Sequence, residues 1–208
     1  VKTAIALTMA AAAAALLPGS MLELQRGGEP WRIVTCHFTH FTYEQLAWDG
    51  LAFVALGIVS ARRNRAAFHA TLLASIAVIP IAVLLFTPLD TYRGLSGLAS
   101  AMFALVVLQH RSWVSLVAGA LFLAKIAFEM STGATLFVND LGPGVVAVPV
   151  AHLAGFASAG LAVLAGIKSR PHVCSLPDSF QKESRSPRKS IEAAGSVASL
   201  RPRALKRA

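Results

Sequence analysis

The chain has 208 residues, is 55% hydrophobic and only 14% charged, and has a mean hydropathy of +0.62, whereas soluble domains carry about 25% charged residues. That excludes an ordinary soluble domain and points to a polytopic helical membrane protein, because the apolar residues fall in long runs separated by short polar breaks. The formal charge of +9 does not signify a nucleic-acid partner, since ten of the 19 Lys and Arg lie in the last 41 residues, beyond the final apolar run.

In chain order, Val1 to Leu17 is an alanine-rich apolar run behind Lys2. It reads as a short membrane helix or a signal peptide, and a retained helix is expected because no small-x-small cleavage site follows. Met21 to His40 is a polar loop with Trp31 at the membrane border. Phe41 to Ser60 is the second helix, with Gln45 and Asp49 on one face at i and i+4. Arg62, Arg63 and Arg65 make a basic turn, and Ala66 to Phe86 is the third helix, with Pro80 inside it. After a short turn, Leu95 to Gln109 is the fourth helix and Trp113 to Met130 the fifth, which holds Lys125 and Glu129. Val145 to Ile167 is the sixth. From Lys168 onward the chain is rich in Ser, Pro, Lys and Arg and has no apolar periodicity, so residues 168–208 are expected to be a disordered basic tail that cannot bury a core. Residues 1–20 are thus a first helix or anchor, and residues 21–167 form the body.

Orientation follows from the basic residues. With a cytoplasmic N-terminus, Lys2, the Arg62–Arg65 turn, Arg111 and the tail lie inside, 15 cations against Arg26, Arg32 and Arg93 outside. Both termini are then cytoplasmic. Cys36 and Cys174 fall on opposite sides, which argues against a disulfide between them.

Counting helix rise from the cytoplasmic ends places polar residues of three helices in one layer. Ser96 lies roughly 20 Å above Gln109, His152 roughly 22 Å above Ile167 and Gln45 roughly 22 Å above Ser60, with Asp49 about 6 Å deeper. At about 22 Å the fourth helix is too short to span a core about 30 Å thick. Its N-terminus must open into a water-holding cavity, since unpaired N–H groups cannot face lipid. Ser96, Ser100 and Ala104 on this helix, and Gly155 with Ala159 on the sixth, make small-residue stripes that allow close approach. Such an approach would bring Ser96 within reach of His152, as nucleophile and general base. Gly94 and Gly97 permit a tight turn and close substrate approach, and the helix N-terminus offers N–H donors to an oxyanion.

These residues carry a resemblance. Gly94-Leu95-Ser96-Gly97 resembles the G-x-S-G of rhomboid intramembrane serine proteases, Ala151-His152-Leu153-Ala154-Gly155 their A-H-x-x-G, and Trp31 to His40 their W-R…T-x-H-x-x-H segment. The Leu24-Gln25-Arg26 lead-in and the compact six-helix build look most like the rhombosortase branch, which processes proteins bearing a C-terminal GlyGly-CTERM sorting signal. The resemblance spans roughly residues 20–167. It implies an all-α, six-transmembrane-helix bundle in a bacterial inner membrane, active toward the outer side on membrane-anchored protein substrates with a transmembrane segment, and without metal or other cofactor. Its oxyanion residues, H-x-x-x-N in the family, correspond here to Gln45 and Asp49. A Gln amide can donate, but an ionised Asp would repel the oxyanion and must be protonated or turned elsewhere to contribute.

Plainer readings stand beside these. Ser96 could be a helix N-cap, His152 an interhelical hydrogen-bonding residue, and Asp49 structural. His37 and His40 read as loop-ordering residues rather than metal ligands, and Lys125 with Glu129 as an internal or snorkelling ion pair. A catalytically inactive rhomboid-like protein that binds transmembrane helices, and a small transporter or scaffold whose polar layer lines a pathway, are the alternatives to a protease.

Overall fold

In apolar surroundings a chain must satisfy its backbone hydrogen bonds within each segment, so the apolar runs close into helices. The computed structural model describes residues 2–133 and 148–164. Its helices are α1 (Lys2–Ala14), α2 (Gly19–Leu22), α3 (Arg32–Thr35), α4 (Tyr43–Arg63), α5 (Arg65–Phe86), α6 (Ser96–His110), α7 (Trp113–Thr132) and α8 (Pro149–Leu164). Local chemistry sets several of the starts. The side chains of Thr42, Asn64 and Ser112 accept from the backbone N–H groups of Gln45, Ala67 and Ser115, each satisfying a donor that a helix start leaves open. The expected runs recur with their ends moved by a few residues. The expected sixth helix is described only over α8, and the tail from Lys168, with Cys174, lies outside the described residues.

The loop before α4 is more structured than its polarity suggested. Leu24–Gln25 (β1) pairs antiparallel with Thr91–Tyr92 (β2), Leu24 opposite Tyr92 and Gln25 opposite Thr91, a small correction to an all-α reading. Arg26 donates to the carbonyls of Leu84, Thr87 and Leu89, capping the C-terminal end of α5. Arg32 donates to those of Ser20 and Glu23. Two of the three arginines outside the expected membrane are therefore spent on backbone oxygens, while Arg93 pairs with Glu23 and lies over the Phe41 ring; together they tie the loop to the bundle.

α6 is the central helix, packed against α4, α5, α7 and α8. Leu98, Met102 and Leu105 of α6 are fully buried together with Phe53, Phe68 and Ile79 of its neighbours. A helix apolar on all sides belongs in such a position. By length and composition α5 (22 residues, mean hydropathy 2.3) and α7 (20 residues, 1.6) can each cross a membrane, whereas α1, α6 and α8 are apolar but shorter. Only 17% of the most apolar stretch of α7 is buried, and Trp113, Leu116 and Leu121 are among its exposed side chains. An apolar helix with its large side chains facing outward is the reverse of a soluble core helix, and lipid is the solvent that suits it. The chain is a mostly helical membrane protein.

Candidate functional site

The turn before α6 is built by the loop beneath it. The Gly94 N–H donates to Cys36 O (3.0 Å), the Leu95 N–H to His40 Nε2 (3.2 Å), and the buried Tyr92 hydroxyl to Gly94 O (3.4 Å). Gly94 has φ +132°, a conformation side chains rarely adopt. His37 lies edge-on to Tyr92, and its Nε2 lies 3.2 Å from Ile76 O in α5. Ile76 is four residues before Pro80, which has no N–H to give that carbonyl. His37 Nε2 donates in its place, so the proline and the histidine together pin the loop to α5. The loop-ordering role expected of His37 and His40 is the one the structure gives them. Among the described residues no cluster of three His, Cys, Asp or Glu could hold a metal ion.

Burial sets the protonation of this loop. It holds His37 down at about 4, and holds His40 at about 4 with the Arg93 charge adding to the effect. His40 Nε2 is also 3.7 Å from Asp49 Oδ2. With its ring neutral and that nitrogen accepting from Leu95, the contact is not an ion pair. Burial also pushes the Cys36 thiol up to about 12, so Cys36 is no nucleophile despite its nearness to the turn.

Three sequence-predicted residues converge at Gly94. A Cβ placed there would lie 3.1 Å from Gln45 Nε2, 3.8 Å from Asp49 Oδ2 and 3.9 Å from Ser96 Oγ, all within 4 Å of one point. Gln45 Oε1 accepts from the Phe41 N–H (3.0 Å). Because an N–H must face an oxygen, this orients the amide and leaves its NH₂ as the group nearest Gly94. The Thr42-x-x-Gln45 spacing resembles a capping box, in which the same end of the amide is spent, but here Gln45 reaches the N–H of Phe41, one residue before the N-cap. The Asp49 carboxylate faces the backbone N–H of Ser96.

The start of α8, which carries His152, lies against the start of α6. A Cβ on Gly97 would lie 3.2 Å from Ala151 O, and one on Gly155 would run into Gly97 O and lie 3.3 Å from Ala101 N. The mouths of α6 and α8 therefore touch backbone to backbone. The atoms of α6 nearest Gly155 belong to Gly97 and Ala101, one position round from the expected Ser96–Ser100 stripe. Ser100 instead donates to Ser96 O (2.8 Å). Ser96, His152, Gln45 and Asp49 are all partly exposed, so a substrate can reach them. Among the described residues Ser96 Oγ and His152 are not hydrogen-bonded to each other. What the structure brings together is the N-terminal ends of α4, α6 and α8, whose partial positive charges favour an anion between them.

Sequence reasoning missed one neighbour. Lys125 Nζ and Glu129 Oε1 are 2.6 Å apart, the expected i, i+4 pair, but Glu129 Oε2 also faces His152 Nδ1 at 3.9 Å. Glu129 is buried, with its side chain 3% exposed. The available signal was a carboxylate inside an apolar helix, which needs a partner to be tolerated.

A family model described as the Rhomboid domain matches residues 27–169, a span covering all the residues above and more than half of the chain. No curated protein and no solved structure matches the chain.

Proposed function

This chain belongs to the rhomboid family, and we propose that it is an intramembrane serine endopeptidase in which Ser96 is the nucleophile and His152 the general base. The observation that carries the reading is the convergence of Gln45 Nε2, Asp49 Oδ2 and Ser96 Oγ within 4 Å of one point, at the meeting of three helix N-termini. Ser96 Oγ attacks the scissile carbonyl while His152 takes its proton, and His152 returns that proton to the leaving amine. Water then hydrolyses the acyl-enzyme by the same route. The Gln45 amide and the N–H groups at the start of α6 stabilise the oxyanion, with Gly94 leaving room for the substrate backbone; the expected substrate-facing role of Gly97 is not kept, because the space beside it is taken by Ile79 and Ala151 O.

The substrates are membrane-anchored proteins, and the resemblance to rhombosortases favours cleavage near C-terminal sorting segments. The protein spans a bacterial inner membrane six times with both termini in the cytoplasm. Trp31, Tyr43 and Trp48, all exposed near the active end of the bundle, suit the outer interface.

A second reading, an inactive rhomboid-like binder of transmembrane helices, is favoured by one observation. Asp49 faces the Ser96 N–H, a donor that the oxyanion needs. Labelling of the purified full chain with a fluorescent alkyl fluorophosphonate separates the two. Label on the wild type that is lost in Ser96→Ala supports the protease, and a folded but unlabelled wild type supports the binder. Under the protease reading Asp49→Asn, which replaces an acceptor by a side chain able to donate, retains or raises the labelling rate. Loss of labelling in that variant would show that the carboxylate is required.

A further inference from the structure

A buried carboxylate on an apolar helix is costly unless it is paired, so the groups that meet Glu129 matter. Lys125 accounts for one oxygen of Glu129, at 2.6 Å. The other lies 3.9 Å from His152 Nδ1, less than 1 Å beyond a normal N–H···O bond. Nδ1 is also the nitrogen a general base does not use when it takes the serine proton on Nε2. Of the described residues, Glu129 is the one whose carboxylate forms an ion-pair contact with His152.

We propose that Glu129 is the positioning residue of His152, making Ser96, His152 and Glu129 a triad with Lys125 as the support of its carboxylate. The inference rests on the protease reading above. A carboxylate accepting from Nδ1–H fixes the tautomer, so that the Nε2 lone pair is free to face Ser96. During acylation the bond from Ser96 Oγ to the substrate carbonyl carbon forms and the Oγ proton moves to Nε2. When the C–N bond breaks, that same proton leaves on the amine. Glu129 gives and takes no proton; it stabilises the imidazolium formed in between and holds the ring in line. Lys125 holds the other carboxylate oxygen, Oε1, so that Glu129 need not rotate to find a counter-charge.

The test is the fluorophosphonate reaction on the full chain in detergent, in which Ser96 Oγ displaces fluoride and its proton passes to His152. The rate of inactivation and the probe's binding constant are measured separately. In Glu129→Gln the inactivation rate falls by roughly 10²-fold, within the range of a general-base contribution, and the binding constant is unchanged. In a His152→Ala background the same substitution costs nothing further, because the ring it positions is gone. A wild-type rate in Glu129→Gln, or an equal loss with and without His152, overturns the proposal and leaves Glu129 as a structural ion-pair partner. Should Glu129→Gln misfold because Lys125 has lost its partner, the neutral pair Lys125→Met/Glu129→Gln replaces it, with the same loss expected and a wild-type rate again decisive against. Failure of the protease reading looks different, since the wild type itself is then unlabelled.

Discussion

Substituting Gly155 by alanine tests whether the approach of α8 to α6 sets the site. An alanine Cβ would run into Gly97 O and lie 3.1 Å from Gly97 C and 3.3 Å from Ala101 N. All three are backbone atoms of α6, so no side chain can turn aside, and the two helices must separate by about 1 Å to restore ordinary contact. Overpacking of this kind costs typically about 1–3 kcal/mol. Because Gly97 adjoins Ser96 and Gly155 lies three residues after His152, the same shift displaces nucleophile from base, and a misplacement of about 1 Å can cost on the order of 10²-fold in rate. Gly160→Ala is the internal control, on the same helix with nothing within 4 Å of its Cβ; there alanine's helix propensity should stabilise slightly, by roughly 0.5–1 kcal/mol. Thermal unfolding in detergent and the fluorophosphonate labelling rate are measured on both variants. Gly155→Ala with wild-type melting and labelling would refute the idea that backbone contact between these helices positions the dyad.

Three further outcomes are expected. Gly94→Ala is strained by its φ of +132° and pushes a methyl to 3.1 Å from Gln45 Nε2, so labelling of Ser96 should drop at least tenfold; an unchanged rate would remove the Gly94 turn from the site. His37 and His40 are each held neutral at about 4 in the fold, against 6.5 for an unperturbed ring. The unfolded chain therefore binds more protons between those values, and stability that is complete above pH 6.5 is lost as the pH falls toward 4, by a few kcal/mol near pH 5. Denaturant melts between pH 4 and 8 measure this, and His37→Gln with His40→Gln should flatten the dependence. Cys36, buried and with its thiol pushed up to about 12, should resist a maleimide in the native state and react only on unfolding; rapid native labelling would mean that the loop opens.

Much of this was legible in the chain. The apolar runs predicted the helices, because a backbone without water must bond within its own segment, and the G-x-S-G and A-H-x-x-G segments marked Ser96 and His152 as the residues to follow. The helix ends shifted because capping side chains such as Thr42 and Asn64, rather than the limits of hydrophobicity, set where a helix begins.

What the sequence could not settle was the rotation of each helix about its axis and the partner of each polar group across the bundle. Periodicity offered Ser96 and Ser100 as the contact stripe of α6; packing put Gly97 and Ala101 nearest Gly155, because carbonyl oxygen against glycine is the closest approach two helices can make. The link from His37 to Ile76 exists because Pro80, in another helix, leaves a carbonyl without a donor. Lys125 and Glu129 were visible as a pair, yet only the fold places the second Glu129 oxygen opposite His152. Composition and spacing are local properties, and they determined the kind of protein and its leading candidate residues. The neighbours that orient those residues are set by close packing between distant segments, where a turn of one position changes every contact.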